Sequence, residues 1–454
     1  MFRYLSLILM FFSYAIIIAN KSCFAESLTY VSAIRDGINH SANLRVRMEE
    51  VNIANAQYKG SRAELYPAIN INSRIERYEN LDNRNQQTID TIGNEVVGGN
   101  QSAWRAAVSL SGQYYISHWY KKRYEAQYYE KIRDSNVHNC ETTAKKMIRD
   151  VTEIFGAMAE GKIKLKYSVD ILRRLHGITK LKEQAMVLGQ FSYEDVLKAQ
   201  SDAVNMEKEI SKIKKEIKEC SVNLGNYTGK IYTGDTEVSQ LSPQGQLSMT
   251  DGIEVILATP EYQTRLRELE AVRSKQKSAA NNFLPDISLY ARYDLYNANP
   301  NNMETTFNDV RQAGYSAGIL ISLPLFDGGI RKWERQRNIH EVRKQEESVW
   351  VTYAEKNKDI KTLLAGYDEL KKTYHHYKKL NEQYGKIMII NRKAHLLGER
   401  SSLDLMDLEK NALAVERDYQ VLRNSLSIYE KHLALEINYK QFMSDHYGDW
   451  ACKY

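Results

Sequence analysis

The chain has 454 residues, 43% of them hydrophobic, only six prolines and a formal charge of +6. Acids and bases are mixed along the sequence, which excludes a basic nucleic-acid-binding stripe. The cysteines after residue 25, Cys140, Cys220 and Cys452, form neither a zinc pattern nor an obvious disulfide framework. With no His-Glu-x-x-His motif and no glycine-rich phosphate loop, we expect no enzyme, no bound metal and no cofactor.

The first 25 residues have the order of a secretory signal peptide. Arg3 precedes an apolar run from Leu5 to Ala19, and a polar stretch then ends in Ser22-Cys23-Phe24-Ala25. The alternative, a transmembrane anchor, is disfavoured because the run falls short of the roughly 20 residues needed to span a bilayer. We expect cleavage after Ala25, which lowers the formal charge to about +4. The residues before Cys23 lack a lipobox, so lipidation is not expected.

The remainder of the sequence is a duplication. Residues 65–71 match residues 283–289 at an offset of 218, and residues 188–195 match residues 397–404 at an offset of 209. We therefore predict two repeats, joined by a linker and followed by a tail. Their ranges are 26–228 for the first repeat, 229–250 for the linker, 251–443 for the second repeat and 444–454 for the tail.

Each repeat is predicted to open with a helix, at about 28–65 and 250–283, that ends before Pro67 or Pro285. Two strands then follow, in which apolar and polar residues alternate as in the strands of a membrane barrel. The fourth strand, for example, places Tyr315, Ile319 and Leu325 on one face. The predicted strands are about 68–78, 103–115, 286–296 and 314–326.

Four strands are too few to close a transmembrane barrel, since single-chain barrels begin at about eight. Closure would need strands from other copies of the chain. The alternative is an ordinary soluble sheet with one buried face. The long polar loops at residues 79–102 and 297–313 disfavour it.

A helical hairpin ends each repeat. Residues 329–397 contain no proline, and a helix of that length would extend roughly 100 Å. Apolar residues recur at spacings of three and four, which favours coiled-coil packing. Gly398 ends this helix, and Ser401 with Asp404 begins the next. Gly189, Ser192 and Asp195 repeat the pattern, so we predict hairpin tips near 189–192 and 398–401.

The order and doubling of these features resemble the TolC family of outer-membrane efflux and secretion channels, over essentially the whole chain after residue 25. The segment from Leu323 to Gly329 looks like the family's segment that leaves the barrel. The resemblance implies a mainly α fold with a transmembrane β-barrel part, in which four strands per chain build a trimeric twelve-stranded barrel. The long helices would form a periplasmic tunnel, with the linker at its equator.

The resemblance also implies a gate at the hairpin tips, where an arginine and acids tie the coils together and a ring of aspartates narrows the entrance. Arg400 would be the base of this latch, with Gln184 and Asp195 as its partners. Asp404 and Asp407, spaced to share one helix face, would form a cation-selective ring. The alternative is that Asp404 only caps its helix and Asp407 is only solvated.

His395 departs from the family pattern, which can place a tyrosine at this gate position. A protonated histidine could pair with Asp195 and release it as the pH rises, because its ordinary pKa lies near 6.5. We therefore consider the hypothesis that gating depends on pH.

The expected function is that of an outer-membrane channel, a passive export duct for small molecules or polypeptides. Its expected partners are two further copies, a periplasmic adaptor, an inner-membrane ABC or proton-driven transporter, and outer-membrane lipid. A tripartite efflux pump and a type I secretion system both fit. The alternative is a periplasmic coiled-coil scaffold or adaptor without a membrane barrel.

Overall fold

A computed structural model describes residues 28–79, 103–243, 252–299, 301–310, 312–447 and 452. The predicted signal peptide lies outside these residues, as do parts of the loops, linker and tail. The helices are α1 (Tyr30–His40), α2 (Ala42–Ala63), α3 (His118–Val187), α4 (Tyr193–Thr228), α5 (Gly252–Ala258), α6 (Pro260–Ala280), α7 (Met303–Asn308), α8 (Ile330–Leu396), α9 (Ser402–Ile437) and α10 (Tyr439–Tyr447). The strands are β1 (Ala68–Tyr78), β2 (Ala103–Tyr115), β3 (Asp286–Asn299) and β4 (Gln312–Ser322).

The chain divides into two compact units. Among the described residues, those up to 48, those of 139–262 and those from 352 onward belong to the helical unit. Those of 49–138 and 263–351 belong to the strand unit. Each unit draws on both repeats, so neither repeat forms a unit alone.

The strand unit contains one antiparallel sheet in the order β1-β2-β3-β4. Its register places Ile71, Leu110, Tyr293 and Tyr315 in one row across the four strands. This row is apolar and open, with Ile71 74% and Tyr315 87% exposed. The sheet therefore presents a continuous apolar face that the described part of one chain does not cover.

The opposite face of the sheet is polar. Its rows include Asn70, Ser111, Arg292 and Ser316, which lie side by side on successive strands. Arg292 donates from Nε to Asp294 Oδ1 at 2.6 Å. Because a one-residue slip would exchange the two faces, the alternation fixes the register.

In the helical unit, the long helices pack through buried aliphatic and aromatic residues. One cluster joins α5, α8 and α9 through Val255, Ile360, Leu426 and Leu433. Tyr367 in the same cluster donates to Glu430 Oε1 at 3.2 Å. Buried tyrosine hydroxyls generally need such a partner, which explains how the helices accommodate tyrosines at seam positions.

A buried group of charges also holds this unit together. Lys145 on α3 lies 2.6 Å from Glu436 on α9 and 3.2 Å from Glu261 on α6. Arg149 also pairs with Glu436, and Lys356 lies 3.2 Å from Glu261. Burial alone would raise the pKa of Glu261, but Lys145 and Lys356 outweigh it and hold that pKa below its ordinary value. The group joins helices from both repeats.

Cys140 and Cys452 form a disulfide, with Cα atoms 6.0 Å apart, which corrects the expectation that no disulfide pair would be evident. The sequence could not show it because 312 residues separate the two cysteines. Tyr439 and Phe442 of α10 are buried in the same unit. The predicted tail thus begins within a helix and is attached at Cys452.

Several boundaries differ from those predicted. The first helix of each repeat is broken, between His40 and Ala42 and again at Thr259. Ser41 Oγ accepts from Leu44 N at 3.3 Å and Pro260 opens α6, so both breaks start new helices. β3 runs on to Asn299, and β4 ends at Ser322 rather than near residue 326.

Candidate functional site: the ends of the helical hairpins

The first hairpin turns between α3 and α4 through Gly189. This glycine has a φ of 75°, in the left-handed region where a side chain is disfavoured. Gly189 N donates to Met186 O and Gln190 N donates to Ala185 O, both at 2.9 Å. These bonds satisfy the last carbonyls of α3 and allow the chain to reverse sharply.

The second hairpin repeats this turn between α8 and α9. Gly398 has a φ of 78°. Its N–H donates to His395 O at 3.0 Å, and Glu399 N donates to Ala394 O at 2.9 Å. Each of these residues lies 209 positions after its counterpart in the first hairpin, so the repeat offset is preserved in individual hydrogen bonds.

The two turns differ in how the next helix is capped. Ser192 Oγ accepts from Asp195 N at 3.2 Å, and the Asp195 carboxylate accepts from Ser192 N at 3.1 Å and from Ser192 Oγ at 2.6 Å. The hydrogen bonds from Ser192 lower the pKa of Asp195. Ser401 Oγ accepts from Asp404 N at 3.1 Å, without the reciprocal bond. The Asp404 side chain therefore remains exposed to solvent.

The predicted ring residues are in unequal surroundings. Asp407 Oδ1 lies 2.7 Å from Lys410 Nζ within α9. Asp404 makes no ion pair among the described residues. Asp404 therefore carries the less compensated charge at the end of this hairpin.

In the described part of a single chain, the side chains of the predicted latch residues do not contact one another, and the one link among these residues is from the His395 ring to the Arg400 backbone. His395 Nδ1 lies 2.9 Å from the carbonyl oxygen of Arg400, and the Asp195 carboxylate is bonded to Ser192. Gln184 and the Arg400 side chain are exposed near the two turns. Any latch among these residues thus requires another copy or another conformation.

A link between the hairpins occurs instead at Glu409, which the sequence interpretation missed. Arg174 Nε on α3 lies 3.1 Å from Glu409 Oε2, and Arg392 Nη2 on α8 lies 3.2 Å from Glu409 Oε1. One carboxylate on α9 thus contacts helices from both repeats. The offset of 209 offered a signal, because Arg392 and Glu409 align with Glu183 and Gln200, which bond at 3.0 Å in the first hairpin.

Packing beside Glu409 brings the hairpins close. A Cβ built on Gly177 would lie 2.9 Å from Met406 Sδ, so a side chain there would have to displace the methionine. Tyr167 donates from its hydroxyl to Glu416 Oε1 at 3.0 Å. A groove of about 300 Å³ runs along α8 and α9 and includes Arg174 and Arg392 in its lining.

Chemically, this region offers ion pairs and close side-chain packing. The described residues contain no cluster of three or more metal-ligating side chains. Among the described helices, none combines the length and hydrophobicity needed to cross a membrane.

The family description "Outer membrane efflux protein" matches residues 260–437, which cover the second hairpin and the strands before it. Residues 260–437 are therefore similar to the outer-membrane efflux proteins. The predicted fold class, a mainly helical TolC-like chain with four strands, is confirmed. No curated protein matches the sequence.

Solved structures share the fold over most of the chain. The structure of CusC, described as undergoing conformational changes on folding and transmembrane channel formation, has a TM-score of 0.73 at 14% identity and covers 90% of this chain and 91% of its own. VceC, an outer membrane protein of Vibrio cholerae, has a TM-score of 0.71 at 15% identity, covering 89% and 95%. The CmeC outer membrane channel of Campylobacter jejuni has a TM-score of 0.68 at 14% identity, covering 94% and 87%.

These findings agree with three expectations from the sequence. The matched family and structures are channel proteins rather than enzymes. They are outer-membrane proteins, as was expected for this chain. The family description names efflux, which supports the expected role as an efflux-channel component.

Proposed function

We propose that three copies of this chain form one export duct, in which their sheets complete a twelve-stranded barrel and their hairpins line a periplasmic tunnel. The observation that carries the proposal is the sheet itself. β1 and β4 each pair on one side only among the described strands, and the apolar face is open. A bilayer does not tolerate unpaired strand edges, so a sheet inside it must close into a barrel. Four strands from one chain are too few for that closure.

We further propose that the duct serves a tripartite pump that expels small molecules. A periplasmic adaptor and an inner-membrane transporter, ABC or proton-driven, would supply the coupling. The family description names efflux, which is the function that this proposal adopts.

The ends of the hairpins would act as the gate of this duct. Asp404 would contribute one exposed carboxylate per copy to a ring that favours cations, as rings of acids do in other pores. Asp407 would contribute less because Lys410 partly neutralises it. Arg400, Gln184, Asp195 and His395 would meet across copies, where the exposed Arg400 side chain could reach an acid.

The test of the barrel compares Ile319→Lys with Ser316→Lys on the same strand. Ile319 lies on the apolar face and Ser316 on the polar face, and both are exposed in the single chain. If the apolar face meets lipid, the Ile319 change costs about 2–4 kcal/mol at the bilayer midplane, whereas the Ser316 change costs little. The measurements are the amount of trimer in purified outer membranes and efflux of a toxic dye in a strain that lacks this gene.

Equal loss, or equal retention, of trimer in the two variants would contradict the proposed barrel. If the strain that lacks this gene still expels the dye normally but no longer secretes a polypeptide that its parent strain secretes, the duct serves polypeptide secretion instead. The two readouts therefore separate the architecture from the cargo.

A further inference from the structure

The disulfide of this chain joins cysteines that are not consecutive in the sequence. Cys140 on α3 pairs with Cys452 and both are buried, while Cys220 on α4 lies between them in chain order and is a half-buried free thiol. Cys23, the remaining cysteine, lies within the predicted signal peptide. In the native disulfide, Cys140 is therefore paired with the more distant Cys452 and not with Cys220, the next cysteine in the sequence.

The register of the first hairpin keeps Cys220 far from Cys140. Tyr227 on α4 donates to Asp150 on α3 at 3.1 Å, and Gly161 on α3 lies against Ile217 on α4. Because the two helices are antiparallel, Cys220 lies level with about residue 158, roughly 18 residues or about 27 Å along α3 from Cys140. Paired cysteines need Cα atoms within about 7 Å, so a Cys140–Cys220 disulfide is incompatible with this hairpin.

The incorrect pair is nonetheless the easier one to form in the unfolded chain. Cys140 and Cys220 emerge from synthesis before Cys452. Cys220 is 80 residues from Cys140, against 312 for Cys452. By loop-closure entropy alone, the shorter contact is favoured about eightfold. An oxidising compartment will therefore trap this contact in a fraction of the chains.

We propose that this chain is a substrate of a thiol–disulfide isomerase in the periplasm, which converts a Cys140–Cys220 disulfide into the native Cys140–Cys452 disulfide. The inference goes beyond the channel function and rests on the periplasmic location and the cysteine geometry. The partner is defined by its chemistry, that of a protein with a reactive thiol that accepts unfolded chains.

The first step is an oxidation. Two cysteine thiols give up two electrons and two protons to the disulfide of a periplasmic oxidase, which becomes a dithiol as the Cys140–Cys220 bond forms. The isomerase thiolate then attacks the sulfur of Cys140, and Cys220 leaves and takes up a proton. The Cys452 thiolate attacks the same sulfur and releases the isomerase thiol. The exchange needs no further oxidant.

Once the native Cys140–Cys452 disulfide has formed, the Cys220 thiol reacts with it only slowly. Burial, followed by the nearby carboxylates of Glu216 and Glu219, raises the pKa of the Cys220 thiol. The reactive thiolate is therefore scarce at neutral pH. The buried position of Cys140 and Cys452 adds to this protection.

The experiment expresses the full-length chain in Gram-negative hosts that contain or lack the periplasmic isomerase, while the oxidase is present in both. Acid quenching first stops thiol exchange, and the precipitated protein is then redissolved in denaturant at mildly alkaline pH with iodoacetamide, which alkylates the free thiols. Disulfide-linked peptides are mapped by mass spectrometry. We expect the Cys140–Cys452 pair and an alkylated Cys220 in the complete host. In the host without isomerase, we expect the Cys140–Cys220 pair to accumulate and the amount of trimer to fall several-fold.

The matched control is Cys220→Ser, which removes the competing thiol and keeps the native pair. We expect this variant to form normal amounts of trimer with or without the isomerase. The proposal is overturned if the wild-type chain shows the same disulfide map in both hosts, if Cys140 and Cys452 are both alkylated in the complete host, or if the Cys220→Ser variant still needs the isomerase.

Discussion

Glu409→Gln should loosen the second hairpin from the first and make the channel leaky. The substitution removes the one carboxylate that Arg174 and Arg392 share, at 3.1 and 3.2 Å, and keeps the side-chain shape. It also leaves two like charges near each other. If the hairpin ends form the gate, the closed state loses these ion pairs and the balance shifts towards opening.

The size of the effect follows from the burial of the three groups. The Glu409 side chain is 13% exposed, whereas Arg174 is 39% and Arg392 is 63% exposed. Pairs of this kind contribute about 0.5–1 kcal/mol each, the more exposed one less. Their loss amounts to about 1–2 kcal/mol, or roughly a 5- to 30-fold change in the ratio of open to closed channels.

Single-channel conductance in planar bilayers measures this ratio directly, and entry of a large antibiotic that the intact outer membrane excludes measures it in cells. The control is Glu183→Gln, which makes the same change of charge but affects only a contact with Gln200 within the first hairpin. We expect the control to behave as wild type. Wild-type conductance in the Glu409 variant, or equal leakiness in both, would show that this carboxylate does not hold the gate.

Two further predictions concern charge. Asp404→Asn should lower cation selectivity and cation block more than Asp407→Asn does, because Lys410 already compensates Asp407; equal effects in bilayer recordings would reject the ring. His432 has a pKa lowered to about 4, by burial first and by Arg149 second, so its folded form resists protonation. The free energy of unfolding should therefore fall as the pH drops from about 6.5 to about 4, by about 3 kcal/mol in total, and a His432→Gln variant should lack this component in urea titrations across that range.

The features that could be predicted from sequence are those set by local chemistry. Glycine after a periodic helix, followed by serine with an acid three residues later, predicted turns at Gly189 and Gly398, where the structure has left-handed glycines. Alternation with period two predicted four strands and their apolar face. The end of β4 was harder, because an apolar residue such as Leu325 continues the alternation after pairing has ended.

The features that could not be predicted are contacts between distant segments. Nothing local marks Cys452 as the partner of Cys140, or Glu436 as the partner of Lys145. Helical periodicity shows which face of a helix is apolar, but not which helix covers it. For the same reason, the gate residues assigned by resemblance stay predictions, since contacts between copies are not contained in one chain.

The duplication explains both the likeness and the difference between the two hairpins. Each turn needs the same backbone path, which permits glycine and a serine cap and little else, so those positions agree across the offset of 209. The position about two turns further along α4 or α9 carries no such constraint. At this position Gln200 forms a hydrogen bond with Glu183 of its own hairpin. Glu409 instead forms salt bridges with Arg392 of its own hairpin and with Arg174 of the other hairpin. A shared turn with a divergent neighbour can thus leave Gln200 in a bond within the first hairpin and place Glu409 in ion pairs that join both hairpins.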